Sequence, residues 1–180
     1  MKHTLFAIAL TLLLSLGARA QQHIAMDGVE LGRPFNDVFP ELTSRLNASH
    51  LQQLDIPNRC FFYFYRQAQL VIYVTPKTNT VYRFERRYRV VTDDQNHFDM
   101  AYTKLYKYGM QYGEPQELTR DNYPDRRWET PQGTAELKAI YVGGEYFILL
   151  TITDNAALKL LKKEKGTEFL ARDPRDDDPK

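Results

Sequence analysis

The sequence has 180 residues, of which 24 are Lys or Arg and 23 are Asp or Glu, so its formal net charge at pH 7 is +1. This length suits one compact domain, and the near balance of charge argues against a nucleic-acid-binding protein, which normally carries a clear basic excess. The single cysteine, Cys60, excludes an internal disulfide and is expected to be a small buried hydrophobe rather than a reactive thiol.

Residues 1–20 have the features of a secretory signal peptide. Lys2 precedes an apolar run from Leu5 to Leu16, and the small residues Ala18 and Ala20 stand where a cleavage site after residue 20 needs them. The apolar run is short for a transmembrane helix, so no transmembrane segment is expected after cleavage. The protein is therefore predicted to be periplasmic or secreted.

Residues 21–167 are predicted to form a single domain with possible halves 23–92 and 93–167, and the charged residues 168–180 a disordered tail. Ile24-Ala25-Met26 is a candidate strand, and Pro34 is suited to the first position of a helix. Pro40 is expected to kink or split that helix. Asn47 to Pro57 is polar and is predicted to be a loop. The apolar residues at helical spacing are Phe35, Val38, Phe39, Leu42 and Leu46.

The stretch from Arg59 to Val91 is densely aromatic and predicts three consecutive strands. A turn at Gln67-Ala68 would join the first two strands, and Pro76–Asn79 is a loop before the third. The turn implies the pairs Tyr65–Leu70, Tyr63–Ile72 and Phe61–Val74.

The third strand alternates apolar and charged residues, which predicts one buried and one wet face. Arg86 interrupts the buried set and is expected near a sheet end. The buried set is Tyr82, Phe84, Tyr88 and Val90, and the wet set is Arg83, Glu85, Arg87 and Arg89.

A second helix is predicted after the capping residues Asp93–Asn96, and Gly113 ends it. Its apolar stripe is Phe98, Tyr102, Leu105, Gly109 and Tyr112. Glu114 to Asp125 is predicted to be a polar loop, and Trp128 opens a fourth strand.

Gly143-Gly144 is a strong hairpin signal between strands 134–142 and 145–153. Asn155 is expected to cap a last helix that continues to about Lys165. The hairpin register predicts the apolar or aromatic pairs Tyr141–Tyr146, Ala139–Ile148, Leu137–Leu150 and Ala135–Ile152.

The element order is helix then three strands, twice, followed by a C-terminal helix. Strands joined by hairpins form antiparallel meander sheets, and amphipathic helices must bury their apolar sides against them. The sequence therefore predicts an α+β fold with helices packed on one face of the sheet.

Gly32 ahead of a helix, the motif Tyr102-x-x-Leu105 running into Tyr112-Gly113-Glu114-Pro115, and Trp128 carry a resemblance. The chain resembles small exported proteins of Bacteroidetes and, at fold level, the β-lactamase-inhibitor-protein and outer-membrane-assembly-lipoprotein type of unit. It lacks the anchoring cysteine of the lipoprotein and the disulfides of the inhibitor. The resemblance implies binding to another protein or to an envelope component.

No catalytic, metal or cofactor motif stands out in the sequence. His23, His50 and His97 are each isolated, with no second ligand at helical spacing. Carboxylates such as Asp154 fall where helix capping explains them. We therefore predict no catalytic residue, metal or cofactor, and the protein is not expected to be an enzyme.

The second side of the first sheet carries the candidate binding residues. Aromatic and arginine residues together are typical of protein-binding hot spots. The set, called here the arginine face, consists of Phe62, Phe64, Tyr73, Arg83, Arg87 and Arg89.

Two interpretations of the arginine face remain open. Either it binds a protein or an envelope component in a non-enzymatic binding protein, or the C-terminal half or the loop 114–125 covers its aromatic residues. The alternative function is an envelope-associated hydrolase with a site assembled by the fold. A pocket that joins a histidine to a carboxylate or to Cys60 would favour that hydrolase.

Overall fold

The computed structural model describes residues 23–45, 51–53, 60–65, 68–90, 94–142 and 144–165. The predicted signal peptide, the predicted turn at residue 67 and the predicted charged tail lie outside these ranges. Three helices are described, α1 (Phe35–Arg45), α2 (Gln95–Gly109) and α3 (Asn155–Lys165). The strands are β1 (Ala25–Met26), β2 (Val29–Glu30), β3 (Leu51–Gln53), β4 (Cys60–Tyr65), β5 (Ala68–Val74), β6 (Val81–Val90), β7 (Gln116–Glu117), β8 (Arg126–Glu129), β9 (Gly133–Val142) and β10 (Glu145–Asp154).

The main sheet has eight described strands, all paired antiparallel, in the order β3-β4-β5-β6-β10-β9-β8-β7. Each half of the chain contributes one four-stranded meander, and the last strands of the two meanders, β6 and β10, pair at the centre. β1 and β2 form a separate small hairpin. The predicted α+β class is confirmed, and the predicted meanders are each extended by a short outer strand, β3 or β7.

Both α1 and α2 pack on one face of this sheet, called here the two-helix face. Helix α1 contributes Phe35, Val38 and Leu42 to the core. It is continuous through Pro40, so the predicted split is wrong; this proline is exposed. Helix α2 contributes Ala101, Tyr102 and Leu105, and Asp94 caps it by accepting a 3.1 Å bond from the His97 N–H. The sheet residues beneath include Leu70, Ile72, Phe84, Trp128, Leu137, Ile148, Leu150 and Ile152.

The last hairpin has the predicted register, with the pairs Tyr141–Tyr146, Ala139–Ile148, Leu137–Leu150 and Ala135–Ile152. The first hairpin is shifted by two residues from its prediction, because Ala68, which was predicted in the turn, is the first residue of β5 and pairs with Tyr65. Its pairs are Tyr65–Ala68, Tyr63–Leu70 and Phe61–Ile72. A shift of two preserves the side of the sheet on which each residue lies.

Two predicted loops contain short strands. β3 lies within the polar stretch 47–57 and pairs with β4, while β7 lies within 114–125 and pairs with β8. Both are edge strands, and the exposed residues of β7 are polar. Backbone pairing with a neighbouring strand is sufficient to form such strands without an apolar pattern.

Arg86 lies in the middle of β6, opposite Leu70 and Leu150, rather than near a sheet end. Its guanidinium forms an ion pair with Asp27 and lies 5.2 Å from the centre of the Tyr108 ring. The Tyr108 hydroxyl accepts a 2.6 Å hydrogen bond from the Asp27 N–H. The positive charge of Arg86 on the two-helix face is therefore neutralised by Asp27, which lies in the turn of the β1–β2 hairpin.

Candidate functional site

The register places all six backbone positions of the arginine face on the same side of the sheet. Tyr73 pairs with Arg83, and Phe64 pairs with Gln69, which in turn pairs with Arg87. The side chains of Phe62 and Phe64, like that of Cys60, lie outside the described residues.

Tyr73 is buried, with 1% of its surface exposed, because helix α3 packs over it. This helix packs on the face opposite α1 and α2, where Ala157 and Leu161 join Val71 and Tyr73 in a second, smaller core. The prediction that the helices share one face therefore holds for α1 and α2 and is wrong for α3. Among the described side chains, the aromatic centre of the arginine face is thus covered by the C-terminal helix. Tyr73 is not available to a partner in this arrangement.

Tyr82 also belongs to this second core, whereas alternation along β6 predicted it on the two-helix face. The register shifts between Tyr73 and Val74, which pair with Arg83 and Val81 respectively. Tyr82 is the extra residue of a β-bulge, so its side chain changes face. Its ring lies 6.1 Å from that of Tyr73.

Arg83 and Arg87 make their contacts within the fold. Arg87 pairs with Glu85, which is 1% exposed, through a 2.5 Å Nε–Oε1 contact, and it donates to the Tyr73 hydroxyl at 3.1 Å. Arg83 donates to Thr153 Oγ1 at 3.2 Å and lies about 6 Å from the Tyr73 ring centre. These contacts join β5, β6 and β10 rather than presenting charge to a partner.

Arg89 differs from the other two arginines. Its side chain is 61% exposed and pairs with Glu145 at the start of β10. Surface ion pairs of this kind contribute little to stability. Arg89 is the residue of the arginine face that the described structure leaves largely open to solvent.

A second aromatic region lies around the tip of the β9–β10 hairpin. Tyr141 and Tyr146 are 60% and 42% exposed, and their ring centres are 4.6 Å apart. The Tyr146 ring also lies 6.2 Å from the Phe98 ring at the start of α2. Tyr123, in the connection between β7 and β8, packs on Phe98 with the two ring centres 4.2 Å apart and the rings tilted.

These rings border an open cleft of about 560 Å³, called here the aromatic cleft. Its volume falls in the range of small-ligand sites. The cleft is lined by Phe98, Arg120, Asp121, Asn122, Tyr123, Asp125, Ala139 and Tyr146, and Tyr141 extends it beside Tyr146.

The polar side of the aromatic cleft is formed by the loop between β7 and β8. Arg120, Asp121 and Asn122 are exposed, and their side chains make no hydrogen bond or ion pair with any part of the chain that the structure describes. Burial raises the pKa of Asp125 above its ordinary value, although nearby Lys138 and the Ala139 N–H favour the charged form. Arg120, Asp121 and Asn122 thus face the cleft without described partners, whereas the Asp125 carboxylate already accepts from the Ala139 N–H.

The loop that carries these polar groups is held in place from below. Tyr102, buried in the core, donates its hydroxyl proton to the Pro124 carbonyl at 2.5 Å. The Asp125 N–H donates to Thr119 Oγ1 at 2.9 Å, and the Leu118 N–H donates to the Asp125 carbonyl at 2.8 Å. The Tyr123 hydroxyl donates to Asp99 of α2. The cleft is therefore pre-formed by the fold.

A smaller cleft of about 350 Å³ contains His23, whose Nδ1 lies 3.0 Å from Asp154 Oδ2. Asp154 is fully buried, and it also accepts from the Ile24 N–H and caps α3 through the Ala157 N–H at 2.8 Å. The cap of α3 is therefore Asp154 rather than Asn155.

Both hydroxyl groups that line this smaller cleft donate hydrogen bonds to backbone carbonyls of the fold. Thr130 Oγ1 donates to the Gly133 carbonyl at 2.9 Å, and the Tyr112 hydroxyl donates to the Ala25 carbonyl at 2.6 Å. No activated nucleophile accompanies the His23–Asp154 pair among the described residues that line the cleft. The pair ties the N-terminal segment to α3.

The residues that the structure describes contain no group of three or more His, Cys, Asp or Glu side chains placed to hold a metal ion. Within the same ranges, none of the helices has both the length and the apolar character that a membrane crossing requires.

Sequence reasoning did not identify the aromatic cleft. It predicted that Tyr141 and Tyr146 pair, and it placed Phe98 on the apolar stripe of α2, but it considered the loop 114–125 only as a possible cover for the arginine face. The sequence feature that could have indicated the cleft is the position of two tyrosines, Tyr141 and Tyr146, on either side of the Gly143-Gly144 turn.

Comparison of the chain with protein-family models, with curated proteins and with solved structures gave no match. No residue role is therefore transferred from a relative. The function is inferred from the chain's own residues, above all those of the aromatic cleft.

Proposed function

We propose that the protein is a non-enzymatic binding protein, periplasmic or secreted, that attaches to a component of the cell envelope through its aromatic cleft. The observation that carries this proposal is the adjacent, mutually tilted pair Tyr141 and Tyr146, which remains 60% and 42% exposed beside a cleft with unpaired polar groups. Exposed aromatic clusters rimmed by polar residues are typical of binding surfaces. The signal-peptide features of residues 1–20 support the location.

The arginine face has a smaller part in this proposal than in the sequence-based hypothesis. Tyr73, Arg83 and Arg87 are committed to contacts inside the fold, and of the described residues Arg89 alone remains available. Phe62 and Phe64 stay candidates for an additional contact. The His23–Asp154 pair meets the stated condition for the hydrolase, a histidine beside a carboxylate at a cleft. The binding protein is preferred because Asp154 is fully buried and both hydroxyl groups of that cleft donate to backbone carbonyls, so the described residues offer no activated nucleophile there.

The test is co-sedimentation of the purified mature protein with the insoluble envelope fraction of the cells that produce it. We expect the double variant Tyr141→Ala/Tyr146→Ala to lose binding by about tenfold or more, since removing two aromatic anchors is typically worth more than ~1.4 kcal/mol. Its melting temperature should stay close to that of the wild type, because both rings are exposed.

The matched control is Met100→Ala, which removes a large side chain that is 65% exposed but does not line the cleft. This variant should bind as the wild type does. Equal binding by the double tyrosine variant and the wild type would overturn the proposal.

A further inference from the structure

Resting on the proposed function, we infer that the envelope component bound in the aromatic cleft is a polysaccharide. The inference names the ligand class of the same site and depends on three features of it: the exposed rings, the mixture of polar groups, and the rigidity of the loop that carries them.

The rings provide flat apolar surfaces that remain close to water. A pyranose unit has an apolar face of C–H groups and a rim of hydroxyl groups, so it can stack on a tyrosine ring without being fully enclosed. Tyr141 and Tyr146 also keep their own hydroxyl groups in the solvent-accessible zone, where a sugar hydroxyl can bond to them. Two adjacent rings that both remain open to solvent suit successive units of a chain better than a single enclosed molecule.

The polar groups of the cleft include both donors and acceptors. Arg120 and Asn122 donate, Asp121 and Asp125 accept, and Asn122 can do both. Sugar hydroxyl groups likewise donate and accept, so each of these side chains can find a partner on the same ligand.

The same mixture disfavours other ligand classes. A strongly cationic ligand would meet Arg120, and a strongly anionic one would meet Asp121 and Asp125. An apolar protein anchor would cover these groups without satisfying them, and an unpaired buried polar group costs about 1–3 kcal/mol. A hydroxyl-rich, uncharged polymer avoids both the repulsion between like charges and the cost of unpaired buried polar groups.

The loop is already ordered without a ligand. The bonds from Tyr102 to the Pro124 carbonyl and from the Asp125 N–H to Thr119 hold its backbone, and the Tyr123 ring contacts Phe98 in a tilted arrangement and Tyr102 edge-on. Binding therefore requires little ordering of the protein, which favours useful affinity for a weakly binding polar ligand.

The experiment repeats the co-sedimentation with three preparations of the envelope fraction. One is untreated, one is digested with proteinase K that is then inactivated, and one is oxidised with periodate, which cleaves the vicinal diols of sugars. We expect binding to survive protease digestion and to fall at least tenfold after periodate. The variant Asp121→Ala/Asn122→Ala should bind the untreated and the protease-treated fractions about tenfold more weakly, with an unchanged melting temperature.

The outcomes separate the two proposals. If binding depends on Tyr141 and Tyr146 but is lost after protease digestion, the ligand is a protein, and the polysaccharide inference fails while the proposed function stands. Tyrosine-dependent binding that survives both treatments is measured again on a fraction extracted with chloroform and methanol, because sugars without vicinal diols resist periodate. Loss of binding after extraction indicates lipid and overturns the inference, whereas retained binding indicates a periodate-resistant polysaccharide. If the wild type does not sediment with the untreated fraction, the proposed function itself fails.

Discussion

The arginine face and the aromatic cleft contain the same kinds of side chain, yet the fold uses them in opposite ways. On the arginine face, Tyr73 is buried beneath α3 and the guanidinium of Arg87 is bound to a buried carboxylate. In the aromatic cleft, Tyr141 is mostly exposed and Arg120 makes no described hydrogen bond or ion pair. Composition alone therefore does not distinguish a second core from a binding surface; the presence of a covering helix does.

The largest effect should come from truncating the covered tyrosine. Tyr73→Ala should lower the free energy of unfolding by about 3–5 kcal/mol, because it leaves a cavity beneath α3 and removes the partner of Arg87. Chemical denaturation measures this difference. Tyr141→Ala is the matched control and should cost no more than about 1 kcal/mol. Similar costs for the two substitutions would show that the contrast between the regions is wrong.

A second test compares two arginine–glutamate pairs. Glu85→Ala should cost about 3 kcal/mol, because it leaves Arg87 largely buried without its carboxylate. Glu145→Ala removes the partner of the exposed Arg89 and should cost about 0.5 kcal/mol or less. Urea unfolding of both variants checks the order, and a larger loss for Glu145→Ala would contradict the burial of the first pair.

The smallest expected effect is on the pH dependence of stability and concerns the carboxyl group of Asp125 in the aromatic cleft. Burial raises the pKa of Asp125, so the folded state holds this proton more tightly than the unfolded state does. Its contribution to stability is therefore greatest below the unfolded pKa and declines as the pH rises through the folded pKa. Asp125→Asn removes that decline.

The change in melting temperature between pH 3 and pH 7, compared for the wild type and Asp125→Asn, measures this effect. Relative to the wild type, the variant should gain stability towards pH 7. An identical pH dependence in both proteins would mean that the cleft does not desolvate Asp125. Arg120→Gln is a control, because it removes a charge from the same loop without changing a titrating carboxyl group in this pH range.

Local patterns were enough to predict much of the sheet. From Arg83 onward, the alternation along β6 separated the residues of the two faces, although Glu85, which was predicted on a wet face, is 1% exposed. The Gly143-Gly144 turn predicted the pairs of the last hairpin, and these are observed. The predicted register of the first hairpin was wrong by two residues, because its turn lacks a strong sequence signal. The prediction still placed each residue on the correct face of the sheet. The bulge at Tyr82 breaks the alternation and has no marker in the sequence.

The state of the two candidate sites depended on long-range packing that a local pattern does not contain. The apolar residues of α3 required a surface to pack on, but nothing in them selected Val71 and Tyr73 rather than the two-helix face. Likewise, the pairing of Tyr141 with Tyr146 followed from the turn. Their exposure depends on where α2 begins relative to the hairpin tip, which is a property of the assembled fold.

Asp154 has a consequence for how much of the N-terminal segment the fold can lose. This one buried carboxylate accepts hydrogen bonds from the Ile24 N–H, among the first described residues, and from the Ala157 N–H of the last helix, so it joins the two ends of the described fold. Removing the chain through Ile24 would take away one of these bonds together with the His23 contact. The packing of α3 over Tyr73 therefore depends on residues at the other end of the fold as well as on the helix itself.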